Sequence, residues 1–195
     1  MTDLSTYDNH HYDPGPLPRR IFWYIVSRLF FETRLPWPYT IKRSLLALFG
    51  CHLRDGLIIK PNVKIKYPWF LDIGTHCWIG EGVWIDNLCQ ITLGDHVVLS
   101  QGSYLVTGNH DYKKSSFDLM LDPIEIKSGT WVAAKSIVCP GVTIGECAVL
   151  TTGSVASKSL DSHAIYTGNP ATLKRKRPQT STIQVFTSRL RKKSD

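Results

Sequence analysis

The sequence predicts an all-β solenoid: a parallel β-helix of hexapeptide repeats, with a short α-helical N-terminal segment and a basic C-terminal tail. Three observations predict it. An aliphatic residue recurs every six positions at Ile126, Val132, Val138, Ile144 and Leu150. A small residue follows each by four places, at Thr130, Ser136, Val142, Ala148 and Ser154. The same beat runs upstream through Ile73, Ile79 and Ile85 and through Leu93, Leu99 and Leu105, with Cys77, Val83, Cys89, Val97 and Ser103 as small partners. A fixed short period marks a solenoid, and apolar spacings of six do not keep to one face of a 3.6-residue helix.

Residues 1–18 are polar and Pro-rich and read as extended or disordered chain, with no signal-peptide pattern. Residues 21–31 (IFWYIVSRLFF) and 41–49 (IKRSLLALF) read as two short helices split by Pro36 and Pro38. Each is too short to span a bilayer. They fit a cap over the open end of the solenoid, which solenoids require. They also fit an interfacial membrane anchor through Trp23, Phe30 and Phe31. The expected division is therefore 1–56 for the N-terminal extended and helical cap, 57–170 for the β-helix, and 171–195 for the tail.

Within the β-helix, three hexads make one triangular coil. The aliphatic residue points inward, and so does the small one, where dense packing leaves little room. Gly74, Gly80, Gly94 and Gly145 directly follow aliphatic residues, as expected for turns needing positive φ. The slips are regular as well. Ile65 to Ile73 and Ile85 to Leu93 are each eight residues, so the excess falls on the same side of successive coils. Between Leu105 and Ile126 the beat stops, and residues 107–123 (TGNHDYKKSSFDLMLDP) form a polar excursion. Function concentrates in such excursions from a regular scaffold.

Composition bounds the class. The five cysteines form no CxxC pair, and Cys77 and Cys89 take the small inward position, which suits a reducing cytoplasm better than a disulfide scaffold. From residue 171 onward there are eight basic side chains (Lys174, Arg175, Lys176, Arg177, Arg189, Arg191, Lys192, Lys193) and one acid, Asp195; the rest of the chain carries fifteen of each sign. The whole net charge of +7 therefore lies in the tail, an electrostatic appendage or a solvated end. Phe186 is its one aromatic, so base stacking on nucleic acid is poorly supported.

His110, in the run TGNHD at 107–111, is the histidine of the excursion. It is either a general base working near neutral pH or a surface histidine in a loop. Asn87, in IDN at 85–87, reads from the residues as a turn residue. His76 and His96 are one coil apart and should stack, as a surface ladder of two imidazoles or as two ligands of a zinc or nickel site.

The hexads, the NHD excursion, the later repeat run and the closing GNPA at 168–171 together resemble hexapeptide-repeat acyltransferases. Within these the chain is similar to sugar O-acetyltransferases, and most to the colanic acid biosynthesis acetyltransferase group. That likeness includes IKYPW at 65–69, Ser100-Gln101 and GNHD at 108–111, and extends into the apolar N-terminal segment. The resemblance implies a left-handed β-helix and a homotrimer with active sites between subunits. It implies acetyl-CoA as donor, a sugar or glycan precursor used in exopolysaccharide assembly as acceptor, and no required metal. His110 matches the family's catalytic base, which takes the acceptor proton and returns it to the departing thiolate. Asp86, Asn87, Asn109 and Asp111 would lie by the acceptor. Trp131, Ala133, Ala134, Thr152 and Ser157 would follow the pantetheine arm, and Lys158 and Arg175 would meet the CoA phosphates. The chain departs from the family in having Ala133, Cys139 and Thr151 where Gly is frequent after the aliphatic residue. It is expected to be cytoplasmic, with peripheral contact at the inner membrane face as an option, and not to bind nucleic acid. Two rivals stand beside this reading: a γ-class carbonic anhydrase-like metal enzyme built on His76, His96 and His110, and a non-catalytic scaffold.

Overall fold

The fold is known from a computed structural model, which describes residues 2–178. Its body is a three-sided parallel β-helix. The first face stacks His52–Leu53, Leu71–Ile73, Ile91–Leu93, Ile124–Ile126 and Thr143–Ile144. The second stacks Ile58–Ile59, Trp78–Ile79, Val98–Leu99, Trp131–Val132, Val149–Leu150 and Ala164–Thr167. The third stacks Lys64–Ile65, Trp84–Asp86, Tyr104–Val106, Ile137–Val138 and Val155–Ala156. Parallel pairing begins at His52, five residues before the start expected from the beat, because His52–Leu53 lies in register on Asp72 and Ile73.

The interior follows the beat. Ile59, Ile79, Leu99, Val132 and Leu150 are fully buried in one column, and Thr130, Ser136, Ala148 and Ser154 are buried beside them. The polar members of that set are satisfied by the next coil: Thr130 Oγ1 donates to the Gly145 carbonyl and Ser136 Oγ to that of Thr151. These bonds offset the burial of the two hydroxyls, whereas the buried Ser103 Oγ has no partner. Cys77 takes its inward place, whereas Cys89 is half-buried. Asn87 occupies the interior there instead.

The expected positive φ of Gly74, Gly80, Gly94 and Gly145 is corrected by the structure. The left-handed residue comes three places after the aliphatic one, at Asn62, His76, Gly82, His96, Gly102, Gly129, Lys135, Gly141, Cys147 and Gly153. The glycines after the aliphatic residue serve close approach. A Cβ on Gly74 would lie 2.5 Å from the Gly94 carbonyl carbon, and one on Gly145 would lie 2.4 Å from Ser162 N.

Helix α1 (Leu17–Val26) continues through a π-helical turn at Ser27–Phe31, and α2 (Tyr39–Leu48) follows. They close the open end of the first coil, whose edge would otherwise leave polar backbone groups bare. Trp23 Nε1 donates to the Ile65 carbonyl, and Lys42 Nζ to those of Ile59 and Lys60. The carbonyls of Phe31 and Thr33 accept from Val63 N and Asn62 N. Among the described residues no helix is long and apolar enough to cross a membrane. At the other end Thr172–Lys176 turns back antiparallel on Ala164–Thr167. The tail beyond 178, including Arg189, Arg191, Lys192 and Lys193, lies outside the described residues.

Candidate active site

The insertions between successive coils fall on one edge, between the third and first faces. The two eight-residue steps sit there, as a 3₁₀ turn at Pro68–Phe70 and as the bend at 87–89. The excursion sits on the next coil, where Gly108–His110 pairs antiparallel with Leu119–Leu121. Beneath the insertion the ladder is unbroken, for Ile124–Ile126 pairs with Ile91–Leu93.

His110 is held on this hairpin by a specific cradle. Its Nδ1 lies 2.9 Å from the Phe117 carbonyl, and its ring stacks on the Phe117 ring at 4.4 Å and 5°. A carbonyl can only accept, so Nδ1 carries the proton and Nε2 keeps its lone pair in the neutral ring. Phe117 is itself at φ 53°, an uncommon conformation for a bulky side chain. That conformation belongs to the turn that aims its carbonyl at His110. Asn109 Oδ1 accepts from the His110 amide, and Asp111 Oδ1 from that of Lys113, so both brace the hairpin.

The N-terminal segment, expected to be extended or disordered, is laid across this edge. Asp3 N donates to the Ser115 carbonyl, and Tyr12 Oη to that of Leu88. Between these anchors the Tyr7 ring lies 5.9 Å from the His110 ring. Phe117 and Tyr7 are the site residues that sequence reasoning missed. Neither carries a periodic or motif signal; each acts through a position that only the fold creates.

The predicted acceptor residues separate on inspection. Asp86 faces outward and accepts from Tyr104 Oη, whose phenol burial first and the Asp86 carboxylate second push up to about 12. Asn87 corrects the expectation. Its side chain is fully buried, with Oδ1 accepting from Tyr67 N and Nδ2 donating to the Tyr67 and Phe70 carbonyls. Its amide holds the 3₁₀ turn, with both Nδ2 hydrogens and one Oδ1 lone pair engaged.

The residues expected along the donor arm lie mainly on a different edge, between the second and third faces. Trp131 is exposed, its Nε1 donating to Ser100 Oγ; Ala133 and Ala134 follow it on the same coil, and Thr152 lies on the next. The Ala133 side chain is buried, leaving only its backbone for any ligand. Ser157 and Lys158 are exposed on the edge that carries His110, two coils on, and Arg175 is exposed on the returning strand. One chain therefore does not bring His110 and Trp131 together. The third face stands between them.

His76 and His96 do stack, at 5.4 Å and 15°. Both occupy the left-handed turn position between the first and second faces, so neither shares an edge with His110. Among the described residues no group of three His, Cys, Asp or Glu is placed to hold a metal ion. Burial pushes the thiols of Cys77, Cys89 and Cys139 up, and that of Cys51 up to about 12, so none of these four is a ready thiolate.

A relative in Escherichia coli K12, the putative colanic acid biosynthesis acetyltransferase WcaF, is 39% identical over 158 residues, covering 81% of this chain and 87% of that protein. The chain belongs to the hexapeptide-repeat acetyltransferases of the colanic acid biosynthesis group. Solved members of the wider family share its fold, the left-handed parallel β-helix. A hexapeptide-repeat acetyltransferase of Vibrio cholerae, solved with acetyl-coenzyme A, aligns over 92% of this chain and all of its own, with TM-score 0.75 and 22% identity. A maltose O-acetyltransferase of Clostridium difficile 630 covers 84% of this chain and 88% of its own, with TM-score 0.73 and 24% identity. No protein-family model matches the chain.

Proposed function

We propose that this acetyltransferase moves an acetyl group from acetyl-CoA to a hydroxyl of a sugar or glycan precursor in exopolysaccharide assembly, with His110 as general base. The observation that carries the reading is the contact of His110 Nδ1 with the Phe117 carbonyl. It presents Nε2 as the proton acceptor and supports the imidazolium that forms. The donor supplies an activated thioester. Its pantetheine arm fits Trp131, the Ala133 and Ala134 backbone, Thr152 and Ser157, and its phosphates suit Lys158 and Arg175. Nε2 takes the proton of the acceptor hydroxyl as its oxygen attacks the thioester carbon. The same nitrogen then returns the proton to the departing sulfur, so no cysteine nucleophile is needed. Holding both substrates side by side supplies the proximity contribution.

Because His110 and Trp131 lie on different edges of one chain, the reading includes a homotrimer. The hairpin edge of one subunit then faces the Trp131 edge of the next, and each site forms between them.

The test is thiol release from acetyl-CoA by wild type and His110→Ala, against a panel of sugars and glycan precursors, with and without chelator. Acceptor-dependent release that chelator leaves intact and the mutation abolishes is the expected result. Release that chelator abolishes, or that the mutant retains in full, overturns the mechanism.

A further inference from the structure

A solenoid cap needs one apolar face, turned to the core, and a polar outer face for solubility. Here the inner face is Trp23, Ser27 and Phe31, all buried. The outer face is apolar too. Leu17, Ile21, Ile25 and Leu29 follow one another four residues apart along α1 and its π-helical turn, and Phe22 stands beside them. All five are exposed, Phe22 by 64% and Leu29 by 58%. Capping the first coil uses none of them.

The charge around this ridge has one sign. Beside it Arg20, Arg28, Lys64 and Lys66 stand against a single acid, Glu32, while Lys42 is buried within the cap and Arg43 is paired with Asp55. Glu32 is already engaged by Arg28 at 3.1 Å and by Ser27 Oγ at 2.9 Å. Beside the ridge runs an open cleft of about 510 Å³, into which Arg20, Arg28, Lys64 and Lys66 contribute. An apolar ridge rimmed by cations matches a surface whose interior is hydrocarbon and whose headgroups are anionic.

We propose that the outer face of α1 docks the enzyme on an anionic lipid bilayer, with Leu17, Ile21, Phe22, Ile25 and Leu29 entering the interface and the neighbouring arginines and lysines meeting lipid phosphates. The helices lie on the membrane rather than across it, and the solenoid stands away from its surface. This does not depend on the chemistry assigned to His110.

The full-length protein is floated with vesicles of phosphatidylcholine alone and of phosphatidylcholine mixed equally with phosphatidylglycerol, as wild type and as the double variant Phe22→Asp, Ile25→Asp. Thermal unfolding and native mass are read in parallel. Binding about tenfold stronger to the anionic vesicles, weakened by salt and lost in the variant at unchanged melting temperature and mass, is the expected result. Failure of wild type to float, or equal flotation of the variant, overturns the proposal. So does a variant whose native mass falls, since that places a second copy of the chain on this face.

Discussion

Replacing Asn87 with Leu separates a structural role from a ligand-binding one. The amide makes three hydrogen bonds to the turn beneath it: from Tyr67 N at 3.1 Å, to the Tyr67 carbonyl at 2.6 Å and to the Phe70 carbonyl at 3.1 Å. Leucine keeps the volume and makes none of them. Each lost bond costs about 1 kcal/mol net, so the substitution should cost about 3 kcal/mol, and more where a stranded group stays buried. For a domain of this size that lowers the melting temperature by about 6–12 °C. The assay is thermal unfolding followed by circular dichroism, with acceptor saturation kinetics below the transition. The expected outcome is a large loss of stability with acceptor KM within about twofold of wild type. A melting temperature within about 2 °C of wild type with acceptor KM raised about tenfold would refute the reasoning and restore Asn87 as a substrate contact.

Other substitutions probe the remaining elements. His110→Ala should lower kcat by about 10²–10⁴-fold, the usual range for a general base, and leave the KM for acetyl-CoA unchanged in steady-state kinetics. Tyr7→Ala, which removes the ring beside His110, should raise acceptor KM several-fold without changing donor KM; equal effects on both would place Tyr7 outside the acceptor pocket. Gly145→Ala puts a methyl 2.4 Å from Ser162 N, a backbone atom that cannot yield locally, so denaturant unfolding should show a loss of at least about 2 kcal/mol. Burial lowers the pKa of Lys42 below its usual 10.5. The unfolded chain therefore holds that proton more tightly, and wild-type stability should rise relative to Lys42→Met as pH climbs from the folded pKa toward 10.5. A flat difference across that window would remove Lys42 as the titrating group.

The solenoid could be read from the sequence because every hexad meets the same steric demands, so Val132 and Val138 carry the signal that Ile126 and Ile144 carry. The edge holding the irregularities could be read too, since the two extra residues before Ile73 and before Leu93 fall in phase. The conformations of the glycines could not. Gly74 and Gly82 look alike in sequence, yet one admits a neighbouring backbone and the other supplies φ 69°. Asn87 stayed open between turn and ligand because Asn favours both, and the Tyr67 turn one coil away, which its amide holds, is visible only in the fold. The strap at 3–12 left no trace because its anchors are a backbone amide at Asp3 and one phenol at Tyr12, which no pattern in the chain announces.

The ladder that closes intact beneath the 107–123 excursion, Ile124–Ile126 on Ile91–Leu93, separates two kinds of change. The coil below the hairpin keeps its register across an insertion of this length. Under the proposed function, acceptor recognition would then vary with the hairpin while the repeat scaffold stays constant. Grafting a hairpin from a related enzyme between Val106 and Ile124 is the matching route to a new acceptor on an old scaffold.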